Sequence, residues 1–406
     1  VWLLVVFLCF CRAMRSLTLS LIALTCLTSA KVIRQAAPAE PTKVVFGTTP
    51  NTTPFPTPTA APFDEQYCNC NTTFIWLDIV VLLDTSTAMG DGKKFSLASA
   101  RSVLSDLTYD RSQHLYTRAA IASFGSGVKL TMDFDELDGD SIMTAKPQDF
   151  PGDEVNVTRA FREAEDIFDR NDSRENVRRV IIIFASSFRD GKYQVADEFK
   201  ANGHTVIVAD YVQAGEHAHP ALKKLASEGY YTTTKDNTIV AELKKALCDV
   251  NCFCISGQTA YAPVKNDRNT PLGGCYYIAP STAYQNAAEA GCNDMNGYLA
   301  TVHDANKDFF LEGQVGGKKM YFLGYQRKQG MWTWFDNSTY PYVNNYFNPN
   351  GEGDCVYSQQ VTGFQTRWTT CPCKGPTEAY YVCQLRPCDS TSDLCLQNVD
   401  SETVKK

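Results

Sequence analysis

The chain has 406 residues, 38 basic against 45 acidic side chains and a formal net charge of −7. It is too long for one typical core and suits two folded domains with flanking segments. With no dense Lys/Arg run, this balance argues against a nucleic-acid footprint and against attraction to acidic membrane surfaces, so the expected partner is neutral or basic.

In chain order, Met14-Arg15, the apolar run from Leu17 to Leu27 and Thr28-Ser29-Ala30 have the charged, hydrophobic and small-residue regions of a cleaved signal peptide, assigned to residues 1–30 with Met14 as initiator. The apolar residues before Met14 read either as upstream sequence or as an extension toward a signal anchor. Arg12 and Arg15 interrupt that extension well short of the roughly 20 apolar residues a spanning helix needs. No later segment is apolar enough to span. Residues 31–66 turn to Pro, Thr and Ala, a composition that cannot bury enough apolar area to offset chain entropy. This is an expected linker, either O-glycosylated or unmodified.

Strand and helix patterns then alternate over residues 67–250. Strands are expected at Asp78–Leu83, Ala119–Phe124, Val180–Phe184 and Thr205–Ala209. Helices are expected at Lys93–Leu107, Val157–Asp169, Gln194–Ala201, Ala221–Glu228 and Ile239–Leu247. This alternation predicts a doubly wound parallel α/β sheet. The runs Ile79-Val80-Val81-Leu82-Leu83 and Val180-Ile181-Ile182-Ile183-Phe184 lack polar alternation, as strands covered on both faces do. Cys68 and Cys70 before the first strand, with Cys248 and Cys252 after the last helix, suggest a staple whose pairing spacing alone does not fix.

From residue 252 to 386 the texture changes to aromatics, Gly and Asn, with little helix beyond Ser281–Asn293, so a loop-rich α+β fold stapled by disulfides is expected; residues 387–406 form a tail. Of 16 cysteines, Cys9, Cys11 and Cys26 fall in the leader. The other 13 suit an oxidising compartment and leave one unpaired. Sequons at Asn51, Asn71, Asn156, Asn171 and Asn337 are candidate glycan acceptors in a secreted, extracellular chain.

Two segments carry family resemblance. Asp84-Thr85-Ser86-Thr87-Ala88, after the first buried strand, resembles the Asp-x-Ser-x-Ser motif of von Willebrand factor type A domains. The series Cys275-Tyr276-Tyr277, Gly297-Tyr298-Leu299-Ala300, Trp332-Thr333-Trp334, Asn348-Pro349-Asn350, Cys355, Trp368, Cys373 and Cys383 resembles C-type lectin domains. The two-module order is similar to that of nematode extracellular lectins, a family of ligand-recognition proteins often linked to innate defence. The resemblance implies bridges Cys254–Cys275, Cys292–Cys383 and Cys355–Cys373, leaves Cys371 without a family partner, and allows a small tail loop closed by Cys388 and Cys395.

Both metal motifs depart from the family. In the first, Asp84 and Ser86 remain, but Ala88, Val155 and Ser186 stand where the resemblance implies Ser, Thr and Asp, which removes one of two carboxylates. In the second, Asn348-Pro349-Asn350 replaces one carboxylate by an amide, and Trp368-Thr369-Thr370 lacks the Asn-Asp pair. Glu352 and Asp354 offer compensating charge. Because hard-cation affinity tracks ligand charge, no cofactor is expected, with calcium or magnesium binding at most weakly. The family's proline here is commonly cis, which implies a shape-setting role for Pro349. Tyr340, Tyr342, Tyr346 and Phe347 supply aromatic faces for sugar, protein partner or core.

His217-Ala218-His219 lacks a third ligand at a recognisable spacing. There is no Gly-x-Ser-x-Gly turn, phosphate loop or dinucleotide fingerprint, so no enzyme is expected. The expected function is binding of a glycan or glycoprotein by the lectin domain, with the type A domain docking an extracellular protein. The alternative is a matrix or mucus protein making metal-independent contacts without sugar. Expression in a secretory host is expected to release a soluble glycoprotein whose amino terminus lies near Lys31; mass spectrometry showing an intact leader on membrane-embedded product would contradict this.

Overall fold

A computed structural model describes residues 68–391, apart from 113–114, 175, 189–190, 236–237, 263–269, 272, 318, 339–341 and 363–364. The leader, the linker, Asn51, Tyr340 and Cys395 lie outside the described residues.

The first domain runs β1 (Asp78–Asp84), α1 (Gly92–Leu104), β2 (Arg118–Phe124), β3 (Val128–Met132), α2 (Gly139–Thr144), α3 (Val157–Arg170), β4 (Arg179–Ala185), α4 (Gln194–Ala201), β5 (Thr205–Asp210), α5 (Pro220–Leu225), β6 (Tyr231–Thr233) and α6 (Ile239–Val250). Its sheet has the order β3-β2-β1-β4-β5-β6, parallel except for the β2–β3 hairpin. The unbroken apolar run of β1 divides by strand period: Ile79, Val81 and Leu83 enter the core under α1 and α6, while Val80 and Leu82 enter the core under α3 and α4. The expected strands and helices are present, with α1 ending at Leu104 and α5 at Leu225. The expectation did not include β3, α2 or β6. They are short, and the strands β3 and β6 are only partly buried, so they carry little hydrophobic period.

At the amino end of β1, Asp78 is almost fully buried and takes four charge-assisted hydrogen bonds at 2.6–3.1 Å, two from Arg118 and two from Arg174. Arg174 also donates to the carbonyls of Tyr116 and Leu77, so this cluster joins β1 and β2 to the segment entering β4.

The second domain runs β7 (Thr259–Ala260), β8 (Cys275–Ile278), β9 (Ala283–Tyr284), α7 (Gln285–Asp294), β10 (Tyr298–Leu299), α8 (Ala305–Val315), β11 (Met320–Lys328), β12 (Met331–Trp334), β13 (Cys355–Thr362), β14 (Gln365–Cys371) and β15 (Glu378–Leu385). The main path of the sheet is β14-β13-β11-β15-β8-β7. The expectation of little helix beyond Ser281–Asn293 is corrected by α8. Asp304 caps it by accepting from the N–H groups of Asn306 and Lys307. Its pattern was unreadable because Lys307, Asp308 and Glu312 face inward while Phe309 is exposed.

The bonded cysteines are Cys68–Cys252, Cys70–Cys248, Cys254–Cys275, Cys292–Cys383 and Cys355–Cys373. Cys371 is a buried free thiol, and Cys388 is disulfide-bonded. No helix among the described residues is long and apolar enough to cross a membrane. Replacing Asp78 by Ala leaves two guanidinium groups buried without their counter-charge, so denaturant unfolding is expected to show a loss of about 3–5 kcal/mol; a change below about 1 kcal/mol would mean the cluster is not an anchor.

Candidate functional site

Strand order reverses between β1 and β4, and ligands of open α/β sheets bind outside the carboxyl ends of the strands at such a switch. Asp84 is the last residue of β1, and Ser186 follows β4 directly. Asp84 Oδ1 accepts from the Ser86 N–H at 2.9 Å, whereas Asp84 Oδ2, Ser86 Oγ, Ser186 Oγ and Ser187 Oγ are buried with no hydrogen-bond partner. Burial pushes the Asp84 carboxyl above its ordinary range, opposed by the Ser86 N–H bond and by the nearby Ser86 hydroxyl and Ser186 backbone, neither of which reaches hydrogen-bonding geometry with Oδ2. Val155 is buried in the core beside α3 and supplies no oxygen there, while Ala88 offers its carbonyl to Gln213 Nε2. These oxygens fit a hard cation in kind, yet they bring a single negative charge. Calcium or magnesium would rest on Asp84, with the hydroxyls of Ser86 and Ser186 completing the protein's share. Among the described residues no group of three His, Cys, Asp or Glu could hold a metal.

Asn156 borders this end of the sheet. It caps α3 through Oδ1, which accepts from Arg159 N–H, and its side chain is half-exposed. The other described sequons differ: Asn71 and Asn337 are exposed, whereas Asn171 donates its Nδ2 to the Ile167 carbonyl. His219 stands before α5, with its N–H and Nδ1 bound to Asp210 at 2.7 and 2.6 Å, an anchoring contact rather than a metal pair with His217.

In the second domain Asn348, Pro349, Asn350 and Glu352 are all exposed on the loop before β13. Asn348 Oδ1 accepts from Asn350 N–H at 3.1 Å, closing a local turn. The expected cis proline is corrected: no cis peptide occurs among the described residues, so Asn348–Pro349 is trans. The ordinary preference of an X–Pro bond, about 0.5–1 kcal/mol, runs the same way. Asp354 is committed elsewhere, its Oδ1 accepting from Arg327 Nε at 2.7 Å. Gly353 (φ 97°) touches the backbone of Cys371 so closely that any Cβ would collide with it. Of the aromatic residues, Phe347 packs edge-on against Trp332 and Trp368, Tyr342 against Trp368, and Tyr346 is exposed.

Below this loop lies a polar cluster absent from the expectations. Asp308 Oδ2 accepts from Asn344 Nδ2 at 3.0 Å and Thr366 Oγ1 at 2.9 Å, joining α8, the loop and β14. Burial pushes the carboxyls of Asp308 and Glu312 upward, and for Glu312 the nearby Asp308 adds to the shift. Lys307, fully buried, donates to Thr301 Oγ1 and Gln384 Oε1. Charged side chains amid Phe309, Phe310 and Leu311 were the available signal.

Residues 78–246 match the von Willebrand factor type A domain model and residues 281–385 the lectin C-type domain model. C-type lectin domain-containing protein 160 of Caenorhabditis elegans is 24% identical over 392 residues, covering 84% of this chain and 58% of that protein. The chain thus spans little more than half the length of that relative. Among solved structures, the C-type lectin domain of murine dendritic cell inhibitory receptor 2 in complex with N-glycan is 25% identical, with a TM-score of 0.27 over 33% of this chain and 98% of that one. Proximal thread matrix protein 1 of the mussel byssus is 17% identical, with a TM-score of 0.37 over 43% and 48%.

Since stabilisation by a ligand requires affinity for the folded state, chelator is expected to move the melting temperature by no more than about 2 °C relative to millimolar calcium or magnesium. A much larger drop, restored by either ion, would reveal a tight site.

Proposed function

We propose that this chain, which joins a von Willebrand factor type A domain to a C-type lectin domain, is an extracellular recognition protein whose lectin domain binds carbohydrate or glycoprotein without calcium. Both domains are typically binding modules rather than catalysts. The observation that carries the reading is the state of the loop before β13. Its amides Asn348 and Asn350 are exposed, the carboxylate of Asp354 is held by Arg327, and the turn is closed by the loop's own hydrogen bond. Amide groups both donate to and accept from hydroxyls directly, so the loop needs no ion to present them.

The type A domain is the docking module for a protein partner, at the end of the sheet carrying Asp84 and Ser86. A cleft of about 850 Å³ there is lined by both signs of charge, Asp153 and Glu154 with Arg159, Arg162 and Lys192. Such mixed charge suits register-setting polar contacts with a protein. The five described disulfides and the exposed sequons support secretion, and recognition of glycans outside the cell fits a role in innate defence. Domain limits of 67–250 and 252–386 accompany the proposal.

A glycan array read with and without chelator tests it. Signal is expected in both conditions, unchanged by Asp84→Ala and reduced about tenfold by Asn348→Ala with Asn350→Ala at constant melting temperature, an effect the size of one or two lost hydrogen bonds. A signal that needs calcium would overturn the metal-free mechanism. Absence of signal in both conditions would favour a matrix or mucus protein.

A further inference from the structure

A cleft of about 440 Å³ lies where the first domain meets the start of the second. One wall is the turn Asn202-Gly203-His204 between α4 and β5, and the other is the segment Cys254-Ile255-Ser256 just after the disulfide staple. Arg178, the residue before β4, reaches both walls: Nη1 donates to the Gly203 carbonyl at 3.1 Å and Nη2 to the Cys254 carbonyl at 3.5 Å, while the guanidinium lies over the Phe253 ring, 4.4 Å from its centroid. A group tied to both walls, with one side on a ring, spans the floor of the cleft. Its open part is the Nε–H, which makes no hydrogen bond and is not buried.

No carboxylate meets this charge. The adjacent Arg179 is paired with Asp169 at 3.1 Å, and Arg118 and Arg174 with Asp78, but among the described residues Arg178 has no ion pair and no Asp or Glu lines the cleft. Burial draws the Arg178 guanidinium below its ordinary range, with only Tyr230 working against it. His204 registers the same field: burial first, then Arg179 and Arg178, push its imidazole down to about 4 against the pull of Asp169, so the ring is neutral at neutral pH. Neither of its ring nitrogens has a hydrogen-bond partner, and neither is buried. A half-buried cation without a counter-charge favours an anion that can reach it.

We infer that this cleft binds one sugar acid through its carboxylate, taken by the Arg178 guanidinium and the His204 imidazole. A single positive charge matches a single carboxylate, and the contact from Nε–H is charge-assisted. Acidic peptide motifs are read by clusters of Arg, whereas one Arg lines this cleft. The remaining polar lining suits hydroxyls: Asn202 and Ser256 are exposed and Gln258 is half-buried, and amides and hydroxyls both donate and accept. The volume sits near the lower end of the roughly 300–1,000 Å³ of small-molecule sites, which fits one ring rather than an extended chain. This site is separate in sequence from the loop before β13 and does not rest on the glycan reading given to that loop.

The test is calorimetric titration of the full chain with glucuronate, glucose and a triglutamate peptide at equal ionic strength, with melting temperature as the folding control. Glucuronate is expected to bind about tenfold or more tightly than glucose, the difference that one charge-assisted contact makes, and more tightly than the peptide. Arg178→Gln is expected to remove that preference. Because this variant also gives up the ties to Gly203 and Cys254, a second one guards against misfolding. Asn202→Asp is isosteric and exposed, places a carboxylate on the wall of the cleft, and is expected to weaken glucuronate binding about tenfold without lowering the melting temperature. Asn348→Ala with Asn350→Ala is expected to leave glucuronate binding unchanged. If that double variant loses glucuronate while Arg178→Gln and Asn202→Asp keep it, the acid binds the loop before β13, and this inference is overturned while the glycan reading stands. Equal binding of glucuronate and glucose, no binding of glucuronate, or tighter binding of the peptide each overturns it as well.

Discussion

Everything in the described chain is arranged around one closure. Cys68 and Cys70, just before β1, are bonded to Cys252, just after the end of α6, and to Cys248, in its last turn. Closing loops of 184 and 178 residues removes on the order of 5 kcal/mol of unfolded-chain entropy for the first bridge, and less for the second because the two are nested. Cys254, two residues on, is bonded to Cys275 and starts the lectin domain from this fixed point. The other end of the lectin domain returns to it: Phe253 and Cys388 exchange backbone hydrogen bonds, Trp76 packs edge-on against Phe253, and its indole donates to the Asp389 carbonyl. Arg178 lies over the Phe253 ring. The start and end of both modules therefore share one small apolar cluster of Trp76, Phe253 and Cys388.

Two buried acids on β1 show how the same side chain serves opposite ends. Asp78, at the amino end, is saturated by Arg118 and Arg174, and its job is to hold strands. Asp84, six residues later on the same strand, has one oxygen held by its own turn and the other unmet. Strand direction decides which is which. In a parallel sheet the carboxyl ends open onto the face where crossover loops leave room, and the amino ends are packed shut. In the lectin domain, Lys307 and Asp308 are adjacent on α8 yet point to separate partners, Lys307 to Thr301 and Gln384, Asp308 to Asn344 and Thr366. A helical step of about 100° places neighbours on different faces.

Legibility in the sequence followed periodicity. The runs at Ile79–Leu83 and Val180–Phe184 announced covered strands because both faces are apolar, and the helices Val157–Arg170 and Ile239–Val250 announced themselves by amphipathic spacing. The helix Ala305–Val315 was invisible because its inward face carries Lys307, Asp308 and Glu312, which pattern reasoning assigns to solvent. The candidate sites were legible as motifs but not as chemistry. Sequence placed Asn348, Asn350, Glu352 and Asp354 together as polar groups for a ligand, whereas the fold commits Asp354 to Arg327, a residue 27 positions away that no local spacing could nominate. Trp368 read as a lectin marker; its burial against Tyr325, Trp334 and Phe347 makes it the floor beneath the loop.

That Arg327 contact also helps to fix the form of the loop before β13. Where a cation would pull oxygens inward, the guanidinium takes Asp354 Oδ1 through Nε and the Gly353 carbonyl through Nη2, while lying over the Trp332 ring. Asp354 is more than half exposed, so the ion pair by itself contributes about 1 kcal/mol at most. The stronger constraints are steric and covalent. Gly353 presses on the Cys371 backbone, and Cys355 is bonded to Cys373 across the base of the loop. A loop fixed by a glycine contact, a disulfide and a tethered guanidinium is ordered before any ligand arrives. On the proposed reading its exposed amides act as direct hydrogen-bonding groups, and preorganisation of this kind lowers the cost of binding.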